Sequence, residues 1–585
     1  MQTSTTIRLK GAELVVRFLE SMGVRVVFGI PGGASLPLYD ALYNRRNHIE
    51  HILARHEQGA AFMAQGYARA RSTIGVCLAS SGPGATNLVT AVADARMDGI
   101  PLLVITGQVP SHLIGTDAFQ ETDVAAMAAP ISKRVFAVRD VQTLPDILEE
   151  AYNLAISGRP GPVWIDIPKD IQQAEVSFDE TRFSIRIPTR LHDARNGRAA
   201  LARTDARTQA TDSDLAVLME RAANLLEAGE RPLVLLGGGA ARSAATGLIR
   251  AFCRRNALPS VCTLQGLGVM PVDDPLFAGM IVMHGFPAAN RLLDRCDVLL
   301  SIGARFDDRA TGNVQKFALQ ARIIHVDIQA SQIGRTVSVD TGIVCDARRF
   351  AGAMLQRLSS RTRPAWRAEY DTIRAAAQQP HATGSNHAVH AMFASLGEVL
   401  PPDRIIMTTD VGQHQMWAAQ SYAFRKPHSW FTSGGAGTMG FGLPAAIGAA
   451  LARPMKRIVC VTGDGSFYMN IQELATLAEL QLDVLILLLD NQQLGLVRQQ
   501  QELFYDRNFH AAHFKHSVDI CAIARGFGIA ARTMHIADFV SDENRVFLTA
   551  KGPRLARVPL NANMNVWPIV PPGAGNQTML HPDAM

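Results

Sequence analysis

Short apolar runs alternate with segments whose apolar positions return every three or four residues, and the alternation continues along nearly the whole chain. Residues 12–22 set Leu14, Phe18, Leu19 and Met22 on one helical face, and the run VRVVF (24–28) then forms a strand leading into Gly29-Ile30-Pro31-Gly32-Gly33. The same reading makes strands of HILA, TIGVCLAS, IPLLVITG and GPVWIDIP, then of PLVLL, PSVC, DVLLSIG and RIIHVD, and last of RIIMTT, RIVCV, DVLILLL and RLARVPL. Many of these runs end at Gly-rich turns. Between RIVCV and DVLILLL, Phe467, Ile471, Leu474, Leu477, Ala478 and Leu480 recur at helical spacing, which predicts a crossover helix starting at Phe467. A right-handed crossover leaves the two strands parallel, so Asp464 and Asn491, each just past a strand's carboxyl end, share one edge of the sheet.

Strands alternating with helices make an α/β protein built from doubly wound parallel sheets. With 585 residues the chain exceeds one hydrophobic core. Three domains are expected, 1–188, 213–355 and 388–585, joined by linkers 189–212 and 356–387. Helix 213–226 opens the second. The last strand follows Gly552-Pro553 as an earlier one follows Gly161-Pro162, so the two end domains read as copies of one fold.

Composition narrows the class. Apolar residues at 48% and charged residues at 19% describe a well-cored globular protein. No apolar run is long enough to span a membrane, and the first segment carries Glu13 and Arg17 inside its apolar pattern, unlike a signal peptide. Seven scattered cysteines without a CxxC pair read as buried small residues in a reducing, cytoplasmic setting. The net charge of +5 is not gathered with aromatics, so nucleic acid is not an expected partner; Arg190, Arg195, Arg198, Arg203 and Arg207 read as a solvated linker.

Candidate chemistry sits at the strand ends. An Asp carboxylate, an Asn carboxamide oxygen and a nearby backbone carbonyl are hard donors suited to Mg²⁺, which completes its shell with water and phosphate oxygens. The two glycines around Asp464 let backbone approach a diphosphate, and the following helix N-terminus adds amide donors. A Gly-rich turn with a capping Asp fits GDG alone equally well. Glu57 sits where HILA passes into a helix of small residues, ordinarily the place of a first-turn carboxylate. Gly237-Gly238-Gly239 after a strand and Asp327 at the end of RIIHVD fit either structural turns or a nucleotide site whose acid takes a ribose hydroxyl.

GDG followed across a helical crossover by Asp490-Asn491 resembles the thiamin diphosphate motif, in which Asp464 and Asn491 would ligate Mg²⁺ through side chains and Gln493 through its carbonyl. Taken with GIPGGASLPLYDAL, RHEQGAAFMAQGYAR, SGPGATN, TDAFQE, SGRPGPVWIDIPKD, VMHG, GARFDDR, DVGQHQMWAAQ and TSGGAGTMGFGLPAAIGAAL, it makes nearly the whole chain resemble the catalytic subunits of acetohydroxyacid (acetolactate) synthases. The resemblance implies a pyrimidine-binding, a central FAD-binding and a diphosphate-binding domain, with active sites shared between subunits of a homodimer or a dimer of dimers. It implies a small regulatory subunit as partner and 2-keto acid substrates in branched-chain amino-acid biosynthesis. Glu57 would hydrogen-bond the aminopyrimidine ring. Gly33, Phe119, Gln120 and Lys169 would line the substrate pocket, and Arg309 would bind the second keto acid's carboxylate. Val411, Gly412, Gln413, His414, Met439, Gly463, Gly465, Ser466, Gly495, Leu496 and Val497 would lie about the thiamin cofactor. Arg159, Gly237, Gly238, Gly239, Thr263, Leu264, Met283, His284, Gly303, Arg305, Asp327 and Asp346 would hold FAD.

Some positions depart from the family pattern. Gln500 stands where many members have Trp, a residue credited with favouring 2-ketobutyrate, which implies a larger, wetter acceptor pocket with weak discrimination. Asp490 replaces the commoner first Asn, Ala436 a Leu, and Arg554 and Arg557 enter the last strand. The runner-up reading is a pyruvate oxidase on the same scaffold, and a third is a non-catalytic paralogue.

Overall fold

The computed structural model describes residues 6–179, 181, 212–281, 283–378 and 387–582. Three six-stranded sheets, each wholly parallel, carry the fold. The first runs, edge to edge, Glu50–Leu53, Val26–Gly29, Gly75–Ala79, Leu102–Gln108, Pro162–Pro168, Arg134–Ala137. The third runs Trp430–Thr432, Ile405–Thr409, Arg457–Gly463, Val484–Asp490, Arg554–Pro559, Ala530–Thr533. Numbered in chain order within each sheet, both read 2-1-3-4-6-5, the kinship expected from the two Gly-Pro strand starts. The central sheet, in the order Phe277–Met280, Ser260–Cys262, Pro232–Leu236, Val298–Ile302, Arg322–Asp327, Thr341–Val344, reads 3-2-1-4-5-6. In such sheets a crevice opens at the carboxyl edge where the strand order reverses. In the third sheet that point lies between the ends of Ile405–Thr409 and Arg457–Gly463, and in the central one between Pro232–Leu236 and Val298–Ile302.

Apolar burial joins the three units. Helix Glu57–Arg71 lies on helix Gly442–Ala452 so closely that a Cβ on Gly448 would stand 1.9 Å from the Met63 carbonyl oxygen, and one on Gly66 2.1 Å from that of Ala445. The small residues of RHEQGAAFMAQGYAR and GLPAAIGAAL exist for this contact: it merges the cores of the first and third units. The central and third units share a second core. Outside the sheets, Thr6–Lys10 pairs antiparallel with Glu175–Asp179.

Two expectations change. The crossover after the GDG turn is two pieces, Asp464–Phe467 and Glu473–Glu479, because Asn470 leaves the helical path to donate its Nδ2 to the Gly440 carbonyl at 2.7 Å. Segment 356–387, read as a linker, contains helix Pro364–Gln378. Its Trp366 and Tyr370 are buried in a core with Leu233 and Leu299, and the Trp366 indole N–H donates to the Pro232 carbonyl at 2.9 Å. Two aromatic rings in an otherwise Ala- and charge-rich stretch make it part of the central unit. The Arg-rich segment 190–207 lies outside the described residues. Among the described residues no helix is long and apolar enough to cross a membrane.

Candidate active site

The GDG turn stands at the third sheet's switch point. Asp464 is 3% exposed, and its Oδ2 has no hydrogen-bond partner. Burial, with Asp490 beside it, raises its pKa to about 7. A buried carboxylate oxygen without a donor is costly unless a cation meets it. Asn491, just past the adjacent strand, donates its Nδ2 to Gln413 Oε1 at 3.0 Å, which turns the carboxamide oxygen the other way. Gln413 in turn donates to the Met564 carbonyl at 2.8 Å. The Gln493 Nε2 donates to the Ala562 carbonyl, while its Oε1 is buried without a hydrogen-bond partner. Among the described residues no cluster of three or more His, Cys, Asp and Glu could hold a metal ion.

The surroundings are tight. A Cβ on Gly463 would sit 2.8 Å from His414 Nδ1, and one on Gly495 2.1 Å from Gln413 Oε1. Gly412 packs on the same imidazole, whose pKa burial lowers to about 3, so it stays neutral. Ser466 Oγ donates to the Val411 carbonyl at 3.0 Å. The Met439 methyl lies 3.7 Å from the Cβ position of Gly465, which brings the methionine to the turn. Val497 is 45% exposed.

A second set gathers at the first sheet's carboxyl edge. Glu57 begins helix Glu57–Arg71, and its Oε2 accepts from Asn87 Nδ2 at 2.9 Å, while its Oε1 lies 3.7 Å from the Cβ position of Gly84. The two amides just before it, of Arg55 and His56, donate to the buried Glu473 at 3.0 and 3.1 Å. Gln120 packs on Gly82, and its φ of 62° belongs to a loop that Glu121 closes by accepting from the Gly115 and Ala118 amides. Phe119, at the tip, is 87% exposed. A side chain at Gly33 would meet open space, and Lys169 starts the helix after strand Pro162–Pro168. Among the described residues no hydrogen bond or ion pair joins Glu57 to Asp464 or Asn491 in the single chain.

A cavity of about 580 Å³ opens at the central sheet's switch point. From the central unit Gly238, Gly239, Thr263, Leu264, Met283 and His284 line it. Gly303, Arg305, Arg309, Asp327 and Asp346 complete that wall. The first unit contributes Arg159, and the third Val411, Leu496 and Gln500. Gly237 is not on the wall: a Cβ there would stand 2.1 Å from the Gly303 carbonyl oxygen, so it serves the packing of the two turns. Arg159 and Arg305 converge on the Met97 carbonyl at 2.5 and 2.7 Å. Burial, then the neighbouring Arg305, lowers the Arg159 pKa to about 10. Asp327 is fixed by the Gln329 amide at 2.9 Å, and Asp346 caps helix Ala347–Arg357 by accepting from the Arg348 amide at 2.8 Å. Buried His284 holds the Pro568 carbonyl at 3.0 Å, and Arg309 Nη1 lies 3.5 Å from Met283 Sδ with most of its guanidinium exposed. Sequence reasoning passed over Arg242, Gln265, Asp98 and the 433–437 backbone, all on this wall. Only Arg242 left a local signal, as a cation one turn beyond Gly238.

Models of the thiamine pyrophosphate enzymes match all three units: the N-terminal TPP binding domain at 9–127, the central domain at 219–358 and the C-terminal TPP binding domain at 410–558. The chain is 43% identical over 578 residues to acetolactate synthase isozyme 1 large subunit of Escherichia coli, covering 99% of each chain. It is 42% identical to the isozyme 2 large subunit of the same organism, covering 98% of this chain and 99% of that one. It is 40% identical to the chloroplastic acetolactate synthase 1 of Oryza sativa, covering 98% and 88%. With a parallel α/β unit under each matched stretch and the GDG turn at a switch point, the chain belongs to the acetolactate synthase large subunits of the thiamine pyrophosphate enzyme family.

Proposed function

We infer that the chain joins two 2-keto acids with loss of carbon dioxide, making 2-acetolactate from two pyruvates and 2-aceto-2-hydroxybutyrate from pyruvate and 2-ketobutyrate. This is the first common step of branched-chain amino-acid biosynthesis. The observation that carries the reading is the buried, unpartnered Oδ2 of Asp464 at the third sheet's switch point, beside Asn491. Thiamin diphosphate, when bound, supplies the electron sink that decarboxylation requires. Asp464, Asn491 and the Gln493 carbonyl would hold Mg²⁺, and the backbone at Gly463, Gly465, Ser466 and Gly495 would face the diphosphate. Met439 would support the cofactor, and neutral His414 would add no competing charge beneath it. Glu57, oriented by Asn87, would hold a proton at the aminopyrimidine, a role that contributes about 10²–10⁴-fold.

The large cavity fits FAD. Paired guanidinium groups suit a pyrophosphate, and Asp327 stands where an acid takes a ribose hydroxyl. Arg309, whose forked donors are mostly exposed on the same wall, suits a keto-acid carboxylate, and Gln500, on the wall of the same cavity, would leave the acceptor pocket wider than a Trp there. Glu57, Gln120 and the exposed Phe119 would complete the site of a second copy of the chain. Relatives are named large subunits, which supports a small regulatory partner. Seven buried thiols accord with a cytoplasmic setting.

Product analysis with mixed keto acids tests the reading, run on the wild type and Glu57→Gln with thiamin diphosphate, Mg²⁺ and FAD. Acetolactate from the wild type, and its loss from the variant with cofactor binding retained, is expected; no acetolactate from the wild type would refute it. A pyruvate oxidase is the rival because Val411 and Leu496 reach the wall of the flavin cavity from the thiamin turn. It predicts anaerobic bleaching of the flavin by pyruvate at turnover speed.

A further inference from the structure

A buried charge cluster joins all three units away from the turn itself. Arg69 on helix Glu57–Arg71 donates from Nη2 to Asp98 Oδ2 at 2.8 Å and stands 4.0 Å from Asp94, with Asp94 and Asp98 both on helix Val89–Asp98. The three residues are 7%, 0% and 3% exposed. What the carboxylates hold is a loop of the third unit. Asp98 Oδ2 accepts from the Gly434 amide at 3.0 Å and from Gln265 Nε2 of the central unit at 3.1 Å, and its Oδ1 accepts from the Gly435 amide at 2.8 Å. Asp94 accepts from the Ser433 hydroxyl, whose oxygen in turn accepts from the Thr438 amide at 2.8 Å.

The loop faces two ways. Its Gly434–Gly437 backbone lines the central cavity, and its Met439 lies against the GDG turn. Glycines make the loop entropically costly to fix. They are also required there: a Cβ on Gly435 would stand 2.9 Å from Arg305 Nη2 and 2.8 Å from Met97 Cβ. Charge-assisted bonds from a carboxylate that cannot relax into water are what hold such a loop in one shape.

We propose that Asp98 is a positioning residue for both cofactor sites: with Arg69, Asp94 and Gln265 it fixes the 433–439 loop, so that filling the central cavity and placing Met439 at the GDG turn are coupled. This rests on the reading that the cavity takes a flavin dinucleotide and the turn takes thiamin diphosphate. Asp98→Asn keeps the size but leaves one acceptor oxygen in place of two, so an amide group must face either Gly435 N–H or the Arg69 and Gln265 donors. Arg69→Lys keeps the charge.

The test uses the full chain stripped of cofactors. FAD binding is read by quenching of flavin fluorescence, and thiamin diphosphate with Mg²⁺ by tryptophan fluorescence, each with and without the other ligand. In the wild type each ligand tightens the other by the same factor, about fivefold or more, as linkage demands. Asp98→Asn weakens both by about tenfold and brings the coupling factor to about one, while Arg69→Lys keeps most of it. A merely structural loss of stability would not cancel the factor selectively. Unaltered coupling in Asp98→Asn, or none in the wild type, overturns the proposal. Failure of FAD to bind the wild type at all instead sinks the flavin reading of the cavity, and the coupling with it. Should Asp98→Asn not fold, Ser433→Ala, which removes one anchor and leaves the ion pair, decides by the same measurement.

Discussion

At the scale of single residues, the chemistry turns on what burial does to a few side chains. Asp464 is folded with its pKa raised, to about 7 from 3.8, so the ligand-free fold binds a proton there that the unfolded chain releases. Its contribution to stability is therefore full below pH 3.8 and is lost as pH rises through about 7. Mg²⁺ with thiamin diphosphate would need the charged form. The rise in melting temperature they bring is expected to be larger at pH 8 than at pH 6, measured by calorimetry against the ligand-free chain at each pH; equal shifts would show that Asp464 does not take up a proton in the ligand-free fold near neutral pH. Gln500 shares the cavity wall with Arg309. Gln500→Trp is expected to raise the preference for 2-ketobutyrate over pyruvate by about tenfold in a competition assay, within the range a single extra methylene can be discriminated.

At the scale of elements, the contact between helices Glu57–Arg71 and Gly442–Ala452 is the least forgiving. Its glycines let one backbone lie on the other, and both helices lead to functional turns: Glu57 begins the first, and the Met439 loop precedes the second. Gly448→Ala would drive a methyl into the Met63 carbonyl oxygen. A loss of about 1–3 kcal/mol is expected from overpacking, read as a lower urea midpoint with unchanged m-value. The inner strands were legible because parallel strands buried on both faces are continuous apolar runs, whereas the edge strands Arg134–Ala137, Phe277–Met280, Thr341–Val344, Trp430–Thr432 and Ala530–Thr533 were too short for such a run to show. The break at Asn470 and the docking of Pro364–Gln378 were not legible. Each depends on a distant carbonyl, of Gly440 and of Pro232, that no periodicity reveals.

At the scale of the whole molecule, the chain presents two half-sites, one with Glu57 and Gln120, the other with Asp464 and Asn491. If two copies complete them reciprocally, Glu57→Gln and Asp464→Asn, each inactive alone, should complement when co-refolded at equal amounts. Random pairing leaves one intact site in each mixed dimer, about a quarter of wild-type activity. A site closed within one chain would give none, which an activity titration of one variant into the other decides.

The amino-acid order alone determined the inner strands, the Gly-rich turns at their ends and, through the motifs spread along the chain together with the turn at Asp464, the resemblance to the family, because those features depend on neighbours along the chain. Tertiary structure decided which turns meet. Arg159, Gly303, Gly434 and Gln500 are far apart in sequence and share one cavity wall only because the amino edge of the first sheet and loops of the third unit are packed against the switch point of the central sheet. The anchoring by Asp98 belongs to that level too: a buried carboxylate must find its donors wherever the packing puts them, and here they come from all three units.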